Sequence, residues 1–272
     1  MSIIDRLYKS NFVNLLPKFF LRKLKKSFNY YFVEINKDSL PSKNHPTTAK
    51  LENQEILIKN FDNINYTPST SCPYLIQLLK SLFINNSETL KFLDFGGENI
   101  DHYLYLKKHI KNIKYFYFNQ KENIEIMKKL NKQNNFESFN VLNSIDEIKE
   151  INFDFINIGS VIQYINNYKE VLNSLISTNP KYVFFSAQTF YEKKYNNKEN
   201  IIVKQVNILP HVNFCFFFEY ETFINIFKVK SFLPIFKTLN LTDNVNYNNF
   251  DKKLGKIEYI DLLLRNNKTK LN

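Results

Sequence analysis

Asp94, Gly96 and Gly97 stand close together in LKFLDFGGEN, residues 90–99, and their types suit them to hold a ligand. The apolar residues around Lys91 and Asp94 have the pattern of a buried parallel strand, which the glycine pair ends abruptly. Residues 100–110, IDHYLYLKKHI, then carry Ile100, Tyr103, Leu104, Leu106 and Ile110 mostly on one helical face. In a strand, glycine turn and helix of this kind the backbone comes close to a bound nucleotide-like group, and the helix start offers free N–H groups and the positive end of its dipole. The chain has only 4 glycines in 272 residues, so an adjacent pair at this point is a pointed signal. An ordinary tight turn after a buried strand is the alternative. His211, in ILPHVNF, is the one further residue suited to proton transfer, because imidazole titrates near neutral pH; a loop histidine without a role explains it too. His102 and His109 lie seven apart with no third ligand nearby, His45 falls in a linker, and no metal site is expected.

These groups need a scaffold, and the rest of the chain supplies an alternating pattern. Strand-like runs at residues 114–118 (KYFYF), 139–142, 153–158 (FDFINI), 181–186 (KYVFFS), 232–236 and 257–264 alternate with helical ones at 121–130, 168–176 and 219–227. A helix at residues 73–83 leads into the first strand. The aromatic run FCFFFEY, residues 214–220, reads as core or as a wall of the substrate site. Such alternation implies an α/β fold with right-handed crossovers and a mostly parallel sheet covered on both faces. Ligands in these sheets sit beyond the carboxyl ends of the strands, where the glycine turn falls.

Residues 61–272 read as this domain, and residues 1–60 as a basic N-terminal extension and linker. In residues 15–32, Phe20, Leu24, Phe28 and Tyr31 share a helical face, Pro17 suits a first turn, and lysines crowd the other side. A basic amphipathic helix of this kind lies in an anionic membrane surface, or packs on its own domain with a solvated lysine face. The net charge of +11 comes almost wholly from lysine, with Arg6, Arg22 and Arg265 the only arginines, so nucleic acid is a weak expectation. Cys72 and Cys215 have neither zinc spacing nor a disulfide framework, which favours a reducing compartment. With no apolar run of 18 residues and no signal-peptide pattern, a cytoplasmic protein is expected, peripheral at the inner membrane surface if the helix binds lipid.

FLDFGGEN, then FDFINIGSVIQYINN, KYVFFSAQTF, a long insert and an aromatic run together resemble the class I S-adenosylmethionine-dependent methyltransferases. Within them the chain is most similar to a family that accompanies bacterial surface-polysaccharide synthesis. The resemblance covers residues 66–267 and implies a Rossmann-like seven-stranded sheet with an antiparallel last hairpin, S-adenosyl-L-methionine as cofactor and a saccharide or other small-molecule acceptor. It places Asp94, Gly96 and Gly97 at the methionine-binding turn, Asp94 either orienting the ammonium group or capping the next helix. It places Gly159 and Ser160 beside the transferred methyl, and Asp146 near the adenine unless it is only a helix cap. Gln163, Tyr164, Thr189 and Gln205 fall on the substrate side, and His211 is the candidate base.

The pattern also departs from the family. Glu98 and Asn99 replace a further glycine, and Asn119 and Gln120 stand where a carboxylate would grip the ribose hydroxyls. An amide accepts a hydrogen bond but lacks the charge that roughly doubles its strength. A methyltransferase fold without activity, acting as a binding or membrane-surface partner, is therefore the alternative. The aromatic-proline tetrapeptide of amino methylation is absent after Ile158, where Gly159-Ser160-Val161 stands, which directs the expected chemistry to oxygen.

Overall fold

The computed structural model describes residues 32–34, 50–61, 71–83, 88–191, 199–205, 213–240 and 256–268. His45, His211 and residues 15–31 lie outside them, so the expected membrane helix and base are placed by sequence alone, except that Phe32, the last residue expected in that helix, is instead the first of a β-strand. The strands are β1 (Phe32–Glu34), β2 (Leu90–Phe95), β3 (Ile113–Phe118), β4 (Phe139–Val141), β5 (Phe155–Gly159), β6 (Tyr182–Tyr191), β7 (Asn200–Gln205), β8 (Asn213–Glu219), β9 (Phe232–Leu239) and β10 (Ile257–Asn266). The helices are α1 (Leu51–Asn60), α2 (Ser71–Leu82), α3 (Asp101–His109), α4 (Lys121–Asn134), α5 (Ile145–Lys149), α6 (Tyr168–Ser177) and α7 (Tyr220–Lys228).

The ten strands of the described residues share one sheet. Seven of them run β4-β3-β2-β5-β6-β10-β9, parallel from β4 to β6, with β10 antiparallel to both of its neighbours. The expected seven-stranded sheet is therefore present but extended: β1, β7 and β8 add an antiparallel flap, joined where β8 runs parallel to the end of β6. Of the run at residues 214–220, Cys215 to Phe218 are buried core of this flap, while Tyr220 begins α7 half-buried.

Aromatic side chains fill much of the core. Phe92 stacks on Tyr115 at 5.2 Å and on Phe155 at 5.6 Å, binding β2, β3 and β5 across their faces. Leu75, Ile76 and Leu79 of α2 and Tyr103 and Leu106 of α3 cover that face. The other is covered by Leu172 and Leu175 of α6 and Phe223 and Phe227 of α7. Each fully buried side chain of this size contributes about 1.5–3 kcal/mol, so alternate strand residues commit both faces and the register is strongly fixed.

Candidate functional site

β2 delivers Asp94 fully buried, with the glycine turn just beyond it. Tyr115 Oη donates to Asp94 Oδ2 at 2.5 Å, Asn157 Nδ2 donates to Oδ1 at 2.8 Å, and His102 Nδ1 lies 3.3 Å from Oδ2. Burial alone would raise the Asp94 pKa, but the hydrogen bond and charge of His102, with the bonds from Tyr115 and Asn157, hold it below the usual carboxylate value. Asp94 therefore does not cap α3, whose N-cap is Ile100 without a side-chain bond; it ties β2 to β3, β5 and the first turn of α3.

The glycines are required by this packing. Gly96 has φ +83°, and a Cβ there would lie 2.5 Å from Val161. A Cβ on Gly97 would lie 2.1 Å from Asp94 Oδ2. Gly96 N–H donates to Phe118 O, and Ile100 N–H donates to Oε1 of Gln54, a fully buried side chain on α1. Gln54 Nε2 donates to Asn99 Oδ1 at 2.9 Å. Between these anchors, among the described residues, the N–H groups of Gly97, Glu98 and Asn99 meet no acceptor. They form a run of open donors at the start of α3, the place where an anion is best held.

Asn119, at the end of β3, turns onto this loop. Its Nδ2 donates to Gly97 O at 2.7 Å and to Tyr117 Oη at 3.3 Å, while its Oδ1 accepts from Gln120 N–H at 2.6 Å. The β5 end joins from the other side, because Val161 fills the space over Gly96. Ser160, at φ +51°, donates from Oγ to Ala187 O at 3.1 Å and accepts from Gln163 Nε2 at 3.1 Å. Asp94, Gly96, Gly97, Asn119, Gln120, Gly159, Ser160 and Gln163 thus converge on one end of the sheet, as their places in the sequence suggest.

Asp146 does not join them. Its side chain is 86% exposed and pairs with Lys149 at 2.8 Å. The N-cap of α5 is Ser144, which accepts from Glu147 N–H, so the reading of Asp146 as that cap is corrected.

Beyond Ser160 the sheet forks. β6 pairs with β5 as far as Ser186 and with β8 only from Phe190. Between them Ala187 adopts φ +51° and its N–H donates to Asp261 Oδ1 at 2.7 Å, opposite the bulge in β10. The short helical turn Ile162–Tyr164 packs against β8 in this fork. In the fork region Gln163 Oε1, both amide atoms of Gln188, Thr189 Oγ1 and Asn213 Nδ2 are buried and meet no partner among the described residues. A buried polar group left unpaired costs about 1–3 kcal/mol, so these atoms need a water, a ligand or further protein groups as partners. Tyr164 is half-buried against the β7–β8 layer, and Gln205 ends β7 opposite Asn213. Gln54, Asn157, Gln188, Asn213 and Asp261 had no sequence signal as site residues; only their folded neighbours reveal them.

A cavity of about 740 Å³ lies between α7 and the β9–β10 hairpin, lined by none of these site residues. Among the described residues no group of three or more His, Cys, Asp or Glu side chains could hold a metal ion.

No family model matches the chain, and no curated protein matches it. Solved structures do. Coclaurine N-methyltransferase bound to N-methylheliamine and SAH is similar over 96% of this chain and 97% of that one, at 10% identity and a TM-score of 0.50. The N-terminal domain of EvdMO1, solved in the presence of SAH and D-fucose, is similar over 79% of this chain and 96% of that one, at 7% identity and a TM-score of 0.52. An S-adenosylmethionine-dependent methyltransferase from Clostridium acetobutylicum is 12% identical over 79% of this chain and 99% of that one, with a TM-score of 0.48. At such identities the likeness is one of fold, and the fold is the Rossmann-like α/β fold of S-adenosylmethionine-dependent methyltransferases.

Proposed function

We propose that this chain is an S-adenosylmethionine-dependent methyltransferase acting on an oxygen of a saccharide or other small molecule used in surface-glycan synthesis. The observation that carries the reading is the row of open N–H groups at Gly97, Glu98 and Asn99, at the tip of β2 in a fold of this class. Those donors suit the carboxylate of the cofactor's amino-acid end, and Gln54 and Asp94 hold them in place from both sides. Asn119 and Gln120 are the residues for the ribose hydroxyls. When bound, the cofactor supplies an electrophilic methyl group on a sulfonium. The chain's part is to hold the acceptor oxygen in line, and Ser160, Gln163, Tyr164, Thr189 and Gln205 are the residues for that task. His211 is the proposed base that takes the hydroxyl proton. The absence of an aromatic-proline tetrapeptide after Ile158 favours oxygen over nitrogen. Residues 15–32 are proposed to rest on an anionic membrane surface beside lipid-linked acceptors.

Calorimetry with S-adenosylmethionine and S-adenosylhomocysteine tests this. The expected result is binding of both, abolished by Gly97→Ala. No heat from either at millimolar concentration overturns the reading. It would favour a non-catalytic binding protein, which the inward-turned Asn119 also suits, because its Nδ2 is already given to Gly97 O and Tyr117 Oη and only its Oδ1 has acceptor capacity left.

A further inference from the structure

The cavity between α7 and the β9–β10 hairpin lies outside the cluster described above, and its lining is balanced in charge. Among the described residues three lysines and three glutamates line it, and nearly all are occupied. Glu219 accepts from Glu221 N–H at 3.1 Å, from Thr222 N–H at 2.8 Å and from the Thr222 hydroxyl, so it is spent on the start of α7. Glu221 pairs with Lys228 at 3.3 Å, and Glu258 pairs with Lys256. Lys237 has no carboxylate partner among the described residues; its Nζ stands 4.0 Å from the centre of the Tyr220 ring.

An ionic ligand would meet as much repulsion here as attraction. A hydroxyl group meets none, because it accepts from an ammonium and donates to a carboxylate. Asn225 and Thr222 add neutral donors and acceptors, and the half-buried Tyr220, backed by the buried Phe190 and Tyr191, supplies an aromatic wall for a C–H face. The volume of about 740 Å³ is within the range of small-molecule sites. We infer that this cavity binds a neutral polyhydroxyl segment, a saccharide unit of the acceptor distant from the reacting oxygen, a view that rests on the glycan-methyltransferase reading. Phe190 follows Ala187, the partner of Ser160, by three residues of β6, which is about 10 Å at the rise of a strand. An acceptor spanning both places is longer than one sugar ring.

The test uses the full chain on an array of neutral oligosaccharides and their phosphorylated counterparts, at low and high salt. Neutral oligosaccharides are expected to be retained at both salt levels. Lys237→Ala and Glu258→Gln are each expected to lower retention about tenfold, the worth of one charge-assisted hydrogen bond. No retention, retention of phosphorylated sugars alone with strong salt dependence, or unchanged retention in both variants overturns the inference. Circular dichroism shows that the variants are folded. Calorimetry with S-adenosylhomocysteine separates the two readings: cofactor binding without sugar retention sinks only this site, and sugar retention without cofactor binding sinks only the methyltransferase.

Discussion

At Gly97 the missing side chain does more than ease a turn. The Asp94 carboxylate occupies the space where a Cβ would stand, 2.1 Å from Oδ2, so Gly97→Ala must displace a buried, ionised group. Overpacking of this kind costs about 1–3 kcal/mol. The expected outcome in urea denaturation is a loss in that range, with cofactor binding lost as well. Tyr115→Phe removes one hydrogen bond to a buried charge and should cost about 2 kcal/mol near neutral pH. Its pH dependence follows from the lowered Asp94 pKa: the stabilisation is present above the unfolded value near 3.8 and lost as pH falls through the folded value. Without the Tyr115 bond the folded value moves up towards the ordinary one. Acid unfolding of the variant should therefore begin at higher pH, and the gap to wild type should narrow once Asp94 is protonated in both. A gap that persists unchanged into acid would show that Asp94 is not the group responsible.

The elements that hold the turn differ in how plainly the sequence announces them. β2 and its glycine pair stand out because glycine is scarce and a buried parallel strand is a nearly continuous apolar run. α1 misleads: Leu51, Leu57 and Ile58 pack partly buried against the core, but its one fully buried side chain, between them on that face, is the polar Gln54, which pins Ile100 and Asn99. β8 reads as apolar along most of its length, and such a run does not distinguish strand from helix until its partner β7 is known. The fork at Ala187 depends on a carboxylate, Asp261, far along the chain, and no local pattern foretells it. Gln54 offers a direct test at this scale. Gln54→Leu removes both bonds and leaves Ile100 N–H buried and unpaired, which should weaken cofactor binding about tenfold. Gln54→Glu keeps the acceptor for Ile100, and Asn99 regains its bond by turning its amide. Affinity should return towards wild type in this variant, whereas equal loss in both would reduce Gln54 to a packing role.

Over the whole molecule the charge is distributed in a way the fold does not explain. Residues 1–32 carry Arg6, Lys9, Lys18, Arg22, Lys23, Lys25 and Lys26 against Asp5 alone. None of the described helices is long and apolar enough to cross a membrane. Within residues 15–32 the five basic side chains stand opposite Phe20, Leu24, Phe28 and Tyr31 on a helical projection. Near anionic headgroups each basic residue contributes about 1 kcal/mol, and buried aromatic area adds to this. Removing residues 1–32 should therefore lower partitioning onto vesicles rich in anionic lipid by at least about 100-fold. Raised salt should weaken binding of the full chain in the same direction, because the attraction is screened within about a Debye length. Cosedimentation with anionic and zwitterionic vesicles measures both effects. Binding that survives the deletion, or that is equal on the two kinds of vesicle, would return the lysines to a solvated helix face and leave the acceptor to reach the site from solution.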